Sequence, residues 1–285
     1  AFNDKKLILQ TIKCAIRFMN CKIIFTLLLS FVLAVPAVVA KKDKKVKAMT
    51  EVYGLIEPDP MPERPRPDHY TKPLEQPFLK HDGGKGLCGF DLSHYQGRVN
   101  WDALSTDPNA GFVYLKASEG SSLKDNMYNT YYGEARRVGL KVGSYHFFRG
   151  NCTAREQFEN FRRMMHGKPQ DLIPIIDVEV VNRGVSMYQY MDRLSELLQL
   201  VEREVGRKPM IYTGQKFYNR HFAGTKFPGQ YKFMIACYTA EEPVLYGNDD
   251  FLLWQFTGYG KAKGVRGHID ISRFVRGHTL REIMF

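Results

Sequence analysis

Short apolar runs alternate with helix-like segments along the chain from Cys88 onward. Eight of these runs have the length and the β-branched or aromatic content that are typical of strands. They are CGFDLS (88–93), FVYLKA (112–117), KVGSYHFF (141–148), LIPIIDVEV (172–180), PMIYT (209–213), FMIACY (233–238), FLLWQFT (251–257) and HIDIS (268–272). The pattern therefore predicts eight strands.

Helices are predicted after the second to fifth strands. YNTYYGEARRVG is amphipathic and ends at Gly139. The segment 153–167 opens on a capping box between Thr153 and Glu156, and a longer helix is predicted over 186–206. A shorter one spans about 215–222. The last three strands have no strong helix between them.

The alternation of strands and helices indicates parallel βαβ units. Eight strands favour an α/β barrel whose final part has lost its helices. An open, doubly wound sheet is the alternative. No Gly-x-Gly-x-x-Gly loop follows the first strand, which argues against a dinucleotide-binding domain.

The first 86 residues have a different composition. Residues 1–40 contain a basic residue, an apolar stretch over about 23–40 and small residues up to Ala40, which is the layout of a cleavable secretory signal. A retained membrane anchor is the alternative, because the apolar run approaches the ~20 residues that span a bilayer. Residues 41–86 read as a charged, Pro-rich linker, with seven of the 14 prolines in 57–77. The predicted catalytic domain is 87–285.

The chain is basic, with a formal net charge of +11. Residues 1–40 contain five basic residues and one acidic residue, so the rest of the chain keeps a net charge of +7. An exported basic protein is drawn to anionic surfaces such as wall polymers or membranes, although solubility alone is an equal explanation. We predict no nucleic-acid partner, because the basic residues are scattered and no zinc-finger or RNP-type motif is present.

Acidic residues stand at or near the ends of four predicted strands. Asp91 belongs to the first strand, Glu119 follows the second, Asp177 and Glu179 end the fourth, and Asp270 lies in the eighth. In (β/α) barrels the active site lies at the carboxyl ends of the strands. The pattern therefore predicts an acidic rim.

Asp177 and Glu179 are two residues apart, so both side chains point to the same face of their strand. Two carboxylates so close in a cleft resist joint ionisation, and the more enclosed one should keep its proton near neutral pH. This is the pairing that glycosidic bond cleavage requires. A divalent metal site and a structural ion-pair cluster are the alternatives.

Aromatic side chains accompany the acids. Tyr95, Tyr145, Tyr212 and Trp254 lie at the same strand ends, and Tyr and Trp with a polar group often line clefts. His94 is predicted as a wall of the pocket, with metal ligation or core packing as alternatives. The three cysteines beyond residue 40, Cys88, Cys152 and Cys237, have no metal-like spacing and allow at most one disulfide among themselves.

Seven motifs in order resemble one known family. GFDLSHYQGRVNW is similar to the opening of the Chalaropsis-type lysozymes, glycoside hydrolase family 25. FVYLKASEG, GSYHFF and IPIIDVEV resemble the next strands of that family. MIYTG, LLWQFT and HIDISRF resemble its later strands. The resemblance covers roughly residues 88–275.

The resemblance implies a flattened TIM-like (β/α)5(β)3 barrel with N-acetylmuramidase activity on peptidoglycan glycan strands. It assigns Glu179 as general acid, Asp177 as its partner carboxylate, and Asp91 and Asp270 as the other acids of the site. It also implies substrate contact at Tyr145 and Trp254. We extend this expectation to Tyr212, Tyr95, His94 and Glu119.

We predict no cofactor and no metal, a monomer, and membrane contact only through the N-terminal segment, transient or anchored. Export to the periplasm, envelope or medium is expected. A non-catalytic wall-binding module, another amino-sugar glycosidase and a metal-dependent phosphodiester hydrolase remain alternatives. The stereochemical outcome of the reaction, inverting or substrate-assisted, stays open.

Overall fold

Eight strands close into a barrel in the computed structural model, which describes residues 88–285. Numbered in chain order from β1 (Cys88–Leu92) to β9 (Ile269–Phe274), the strands are joined in the order β1-β9-β8-β7-β6-β5-β4-β2, and a further pairing of β1 with β2 closes the ring. A short strand, β3 (Leu123–Lys124), pairs antiparallel with the end of β2. The predicted presequence and linker lie outside the described residues. No helix within 88–285 is long and apolar enough to cross a membrane.

The strands agree in order with the predicted apolar runs. Their bounds are β1 Cys88–Leu92, β2 Phe112–Glu119, β3 Leu123–Lys124, β4 Lys141–Phe147, β5 Ile175–Asp177, β6 Met210–Gly214, β7 Phe233–Ala236, β8 Leu253–Gly260 and β9 Ile269–Phe274. Neighbouring strands from β1 through β2 and β4 to β8 are parallel, whereas β9 is antiparallel to both β8 and β1. The closed ring confirms the barrel and excludes the open doubly wound sheet.

Five helices connect these strands. They are α1 Trp101–Ser105, α2 Tyr128–Arg137, α3 Ala154–Met165, α4 Met187–Val205 and α5 Gln215–His221. Capping boxes begin α3 at Thr153 and α4 at Ser186, and Gly206 ends α4 in a left-handed conformation. The four predicted helices are confirmed, and α1 is an additional short one that was not predicted. Only a short 3₁₀ turn, Tyr246–Asn248, stands among the last three strands.

The apolar core has two parts. A large cluster lies where the barrel meets the helices and contains Phe161, Leu197 and Trp254. A smaller cluster contains Tyr114, Ile175 and Met234. Gly143 is required beside this smaller cluster, because a Cβ there would lie 2.3 Å from the ring of Tyr114.

The fourth predicted strand, 172–180, is too long. Only Ile175–Asp177 is a strand, and Leu172 makes an isolated bridge with Met284. Pro174 has no N–H to give to a ladder, which limits the strand at its beginning. Glu179 therefore lies two residues beyond β5 and not within it.

Candidate active site

A cavity of about 280 Å³ opens among the strand ends that carry the predicted acids. Its walls include Asp91, Asp177, Glu179 and Asp270, together with the rings of Tyr95, Tyr145 and Tyr212. Ile175 and Met234 of the smaller apolar cluster also line it. The cavity thus combines four carboxyl groups with aromatic and apolar walls, a composition suited to a polar ring-shaped ligand.

Asp177 and Glu179 both line this cavity, as their spacing predicts. The segment after β5 stays attached to β6, because the Val178 N–H donates to the Tyr212 carbonyl at 2.8 Å and the Thr213 hydroxyl donates to the Val178 carbonyl at 2.6 Å. The Val178 side chain is buried in the core. The extended alternation therefore continues past the end of the strand and keeps both carboxylates on the cavity side.

Asp177 is the more enclosed of the two acids. It is 7% exposed, and its Oδ1 atom is buried without a hydrogen-bond partner. Burial, and then the negative charge of Glu179, raise the pKa of Asp177 well above 3.8. Because Asp177 lines the cavity, its carboxyl group is the acceptor that a ligand N–H or O–H would meet there.

Glu179 lies at the solvent-exposed side of the pair. Desolvation of its carboxyl group raises its pKa above 4.5, while a hydrogen bond to the Tyr212 hydroxyl and the charge of Lys116 act in the opposite direction. Glu179 is thus accessible from solvent and also inclined to retain a proton. These are the two properties that a general acid needs.

Asp91 and Asp270 form a second pair. They are register partners across the antiparallel β1 and β9, so Asp270 reaches the rim from the amino end of its strand. Burial, and then Asp270, raise the pKa of Asp91 to about 7. Burial, and then Glu179, raise the pKa of Asp270 to about 6. Asp91 and Asp270 therefore hold protons at weakly acidic pH that isolated carboxyl groups would release.

The profile of glycosyl hydrolases family 25 matches residues 90–265, which reach from β1 to the segment after β8 and contain Asp91, Asp177 and Glu179. The chain belongs to glycosyl hydrolases family 25. This makes it a member of a family of glycoside hydrolases and agrees with the resemblance in the sequence motifs.

Relatives with curated names and solved structures agree with this membership. YegX of Escherichia coli strain K12 is 31% identical over 210 residues, which cover 71% of this chain and 75% of YegX. Lysozyme M1 of Streptomyces globisporus is 26% identical over 200 residues, covering 66% of this chain and 68% of that protein. The structure of a muramidase from Trichobolus zukalii matches with a TM-score of 0.58 and 27% identity, covering 69% of this chain and 96% of that one.

Glu119 lies outside the cavity wall of this family 25 barrel. It ends β2 and accepts hydrogen bonds from the Lys116 ammonium at 2.7 Å and from the Arg149 guanidinium at 2.9 Å. Burial alone would raise the pKa of Glu119, but these two partners together hold it below 4.5. Glu119 thus holds the ammonium group of Lys116, a residue that lines the cavity.

Trp254 and His94 also lie away from the cavity lining. The Trp254 ring is 1% exposed, and its indole N–H donates to the Cys237 carbonyl at 2.8 Å. Neighbouring strand residues point to opposite faces, so Gln255 takes the cavity side of β8 and Trp254 the core side. His94 bonds Asp125 at 2.7 Å and packs beside Tyr95, with ring centroids 4.1 Å apart.

Sequence reasoning missed five polar residues that line the cavity: Ser93, Gln96, Lys116, Tyr238 and Gln255. Lys116 lies in FVYLKA and Gln255 lies in LLWQFT, and each is a polar side chain within an otherwise apolar strand. Tyr238, which follows β7, is 47% exposed and also lines the cavity. Burying a polar side chain costs free energy, so a polar residue inside a buried strand indicates a functional position. Lys116 and Gln255 could have been found in this way.

Two of the raised pKa values predict how folding stability depends on pH. Asp91 and Asp270 bind protons more tightly in the folded chain, with pKa values of about 7 and about 6 against 3.8 for the ordinary group. Stability therefore falls as the pH rises from about 4 to about 7, because the unfolded chain releases these protons first. The contribution of Asp91 and Asp270 therefore favours a higher Tm at pH 5 than at pH 7, whereas burial lowers the pKa of His146 and of His221 to about 4 and favours the opposite.

The variant Asp91→Asn should reduce this pH dependence, because asparagine does not titrate. Differential scanning calorimetry of both proteins at the two pH values measures the effect. Equal Tm differences in the wild type and the variant would contradict the assignment of the effect to Asp91.

Proposed function

We propose that the protein is a peptidoglycan hydrolase, an N-acetylmuramidase that cleaves the β-1,4 bond between N-acetylmuramic acid and N-acetylglucosamine. The observation that carries this proposal is the pair Asp177 and Glu179 in a cavity of a family 25 barrel. The names of two relatives, a lysozyme and a muramidase, support the substrate class.

Glu179 is the proposed general acid. It stands on the accessible side of the pair, and its raised pKa keeps it protonated closer to neutral pH than a free glutamate. In the first step its proton passes to the glycosidic oxygen, which leaves as the 4-hydroxyl of N-acetylglucosamine. A positioned general acid typically contributes about 10²- to 10⁴-fold to such a step.

Asp177 is proposed to orient the 2-acetamido group of the substrate. Its carboxylate, which lines the cavity, accepts the amide N–H, while the acetamido oxygen bonds to C1 as the glycosidic bond breaks. Water then attacks C1, gives a proton to the Glu179 carboxylate and releases the acetamido oxygen. This substrate-assisted route is one recognised departure from the two standard carboxylate schemes.

Burial alone favours a proton on Asp177, whereas the proposed route needs it on Glu179. Substrate binding reverses the preference, because an N–H donated to Asp177 stabilises its charged form. The pair then retains one proton, and that proton is left on Glu179.

Direct attack of water with inversion is the competing route. NMR of the first product separates the two, because the substrate-assisted route gives the β anomer and inversion gives the α anomer.

Tyr95 is proposed to bind a sugar ring at the mouth of the cavity. Its side chain is 81% exposed and rests on the ring of His94. We expect Tyr95→Ala to raise KM by roughly three- to tenfold with little change in kcat, since aromatic contacts are worth about 0.5–1.5 kcal/mol. Steady-state kinetics on soluble glycan chains measures this. A fall in kcat at constant KM would contradict a binding role.

A turbidity assay on purified cell walls tests the proposed function against a non-catalytic binding module. The hydrolase clears the suspension and releases soluble reducing ends, whereas a binding module sediments with the walls and leaves turbidity unchanged. Inclusion of EDTA tests the metal-dependent alternative. Within residues 88–285 there is no group of three or more His, Cys, Asp or Glu side chains placed to hold a metal ion. We therefore expect activity to persist in EDTA.

Export of the enzyme is part of the proposal, since its substrate lies outside the cytoplasmic membrane. We propose that residues 1–40 are a presequence, that 41–86 form a linker, and that 87–285 are the catalytic domain acting as a monomer. Amino-terminal sequencing of the mature protein tests the cleavage after Ala40. Ultracentrifugation of that mature protein tests the monomer.

A further inference from the structure

Gln255 stands at the centre of a buried hydrogen-bond network in the cavity. It is 3% exposed and lies between two apolar residues of β8. Its Oε1 accepts hydrogen bonds from the hydroxyls of Tyr212 at 2.8 Å and Tyr238 at 2.7 Å. Its Nε2 donates a hydrogen bond to Asp91 Oδ2 at 2.9 Å. A single amide group thus connects two phenols with one acid of the site.

The chemistry of the partners fixes the direction of this network. Asp91 Oδ2 accepts from the Gln255 amide and from the Ser272 hydroxyl at 3.1 Å. When Asp91 is ionised, a reversed amide would turn the carbonyl of Gln255 toward the carboxylate, and two acceptors would then face each other. The phenols therefore donate to Gln255, and Gln255 donates to Asp91.

Tyr212 connects this network to Glu179. Its hydroxyl has one proton and two neighbouring acceptors, Gln255 and the Glu179 carboxylate. When that proton points to Gln255, the phenol oxygen accepts from a protonated Glu179, which is the state of a general acid. After Glu179 has lost its proton, the hydroxyl is free to turn and stabilise the new carboxylate.

We propose that Gln255 is a positioning residue of the reaction, whose amide holds Asp91 as an acceptor and directs the Tyr212 hydroxyl so that Glu179 stays protonated until the bond breaks. This inference rests on the proposed function, because it assigns Gln255 a role through Glu179. Gln255 acts through Asp91 and Tyr212 and needs no contact with the reacting atoms.

Gln255→Leu removes both the N–H donor and the carbonyl acceptor of the amide, and it replaces them with an apolar side chain of similar size. Asp91 loses one of two donors, Tyr238 loses its acceptor, and Tyr212 keeps only the Glu179 carboxylate as an acceptor. We expect kcat to fall by about 10- to 100-fold, the effect of losing hydrogen bonds to a charged group. KM for soluble glycan chains should change by less than kcat. Tyr238→Phe, which removes one hydroxyl and retains the ring, should lower kcat by a smaller factor of about two to ten.

Gln255→Glu separates a positioning role from a merely structural one through the pH profile of kcat. When the introduced carboxyl group is protonated it reproduces the native pattern, because its O–H donates to Asp91 and its carbonyl accepts the phenols. When it is ionised it has no donor for Asp91 and adds a negative charge beside that residue. We expect nearly wild-type kcat at low pH and an upper pH limit that lies about one unit or more below that of the wild type.

Gln199→Glu makes the same chemical change on an exposed position of α4 and serves as the matched control. Thermal melts establish that each variant is folded, and Tyr238→Phe provides the test if Gln255→Leu does not fold. A wild-type pH profile for Gln255→Glu would overturn the proposal. An equal loss of kcat in folded Gln255→Glu and Gln255→Leu, at every pH, would overturn it as well.

Wild-type protein and Glu179→Gln are assayed alongside these variants. Failure of the wild type to release muropeptides, or full activity of Glu179→Gln, would refute the proposed function. Those outcomes are distinct from every outcome that concerns Gln255 alone.

Discussion

Replacing Glu179 by glutamine is expected to lower the rate of peptidoglycan hydrolysis by about 10²- to 10⁴-fold. The amide keeps the size of the side chain and its place on the cavity wall, but it has no proton to give to the leaving oxygen. The loss should therefore appear in kcat, while binding to purified cell walls persists. Release of soluble muropeptides at saturating substrate measures the rate, and a pull-down with insoluble walls measures the binding.

Glu196→Gln on the exposed face of α4 is the control for this variant. It makes the same change in charge and should leave the rate unaltered. Nearly wild-type turnover in folded Glu179→Gln would remove Glu179 from the mechanism. Loss of wall binding together with activity would instead indicate that Glu179 is needed to hold the glycan.

Asp177→Asn should weaken catalysis and strengthen the fold at the same time. The substrate-assisted route needs a negative charge beside the acetamido N–H, and removal of one such electrostatic contact commonly costs about 10²- to 10³-fold in kcat. Folding, by contrast, gains from the change, because burial disfavours the charged form of Asp177 and raises its pKa well above 3.8. Asparagine avoids that cost, so the free energy of unfolding at pH 7 should rise.

Calorimetry and single-turnover kinetics together test this paired expectation. The control is Asp192→Asn, at an exposed position of α4, which changes the same functional group outside the cavity. A variant that is both inactive and less stable than the wild type would show that Asp177 supports the fold. A variant with wild-type kcat would exclude Asp177 from the reaction.

The acid pair was predictable because Asp177 and Glu179 stay on the same face even though the strand ends between them. β5 stops at Asp177, yet the two hydrogen bonds of Val178 to β6 keep the backbone extended as far as Glu179. Alternation along an extended chain then places both carboxylates on one face, whatever the exact end of the strand. The location of both acids in one cavity follows from this spacing and from the order of the strands.

The direction of β9 could not be read from the sequence. Apolar runs do not show whether a strand is parallel or antiparallel, so the arrival of Asp270 at the rim from the amino end of its strand is known only from the sheet. The same ambiguity affects β8. Both faces of that strand are covered, so LLWQFT is apolar on either side of Gln255 and does not alternate. Only the lone polar residue Gln255 indicates the cavity side, and Trp254 lies on the core side.

Trp254 shows how an aromatic residue at a strand end becomes part of the core. Its large ring packs where the barrel meets the helices, and its one polar group is satisfied by the Cys237 carbonyl. Tyr238 lines the cavity from the segment just after β7. A loop position has no periodicity from which its orientation could be predicted.

The identity of the bond that is broken tests the central claim most directly. Purified peptidoglycan is digested with the enzyme, the products are reduced with borohydride, and the muropeptides are analysed by mass spectrometry. An N-acetylmuramidase leaves N-acetylmuramic acid at every new reducing end, so reduction must convert it to N-acetylmuramitol. Products that end in reduced N-acetylglucosamine, or an undigested wall, would contradict the account.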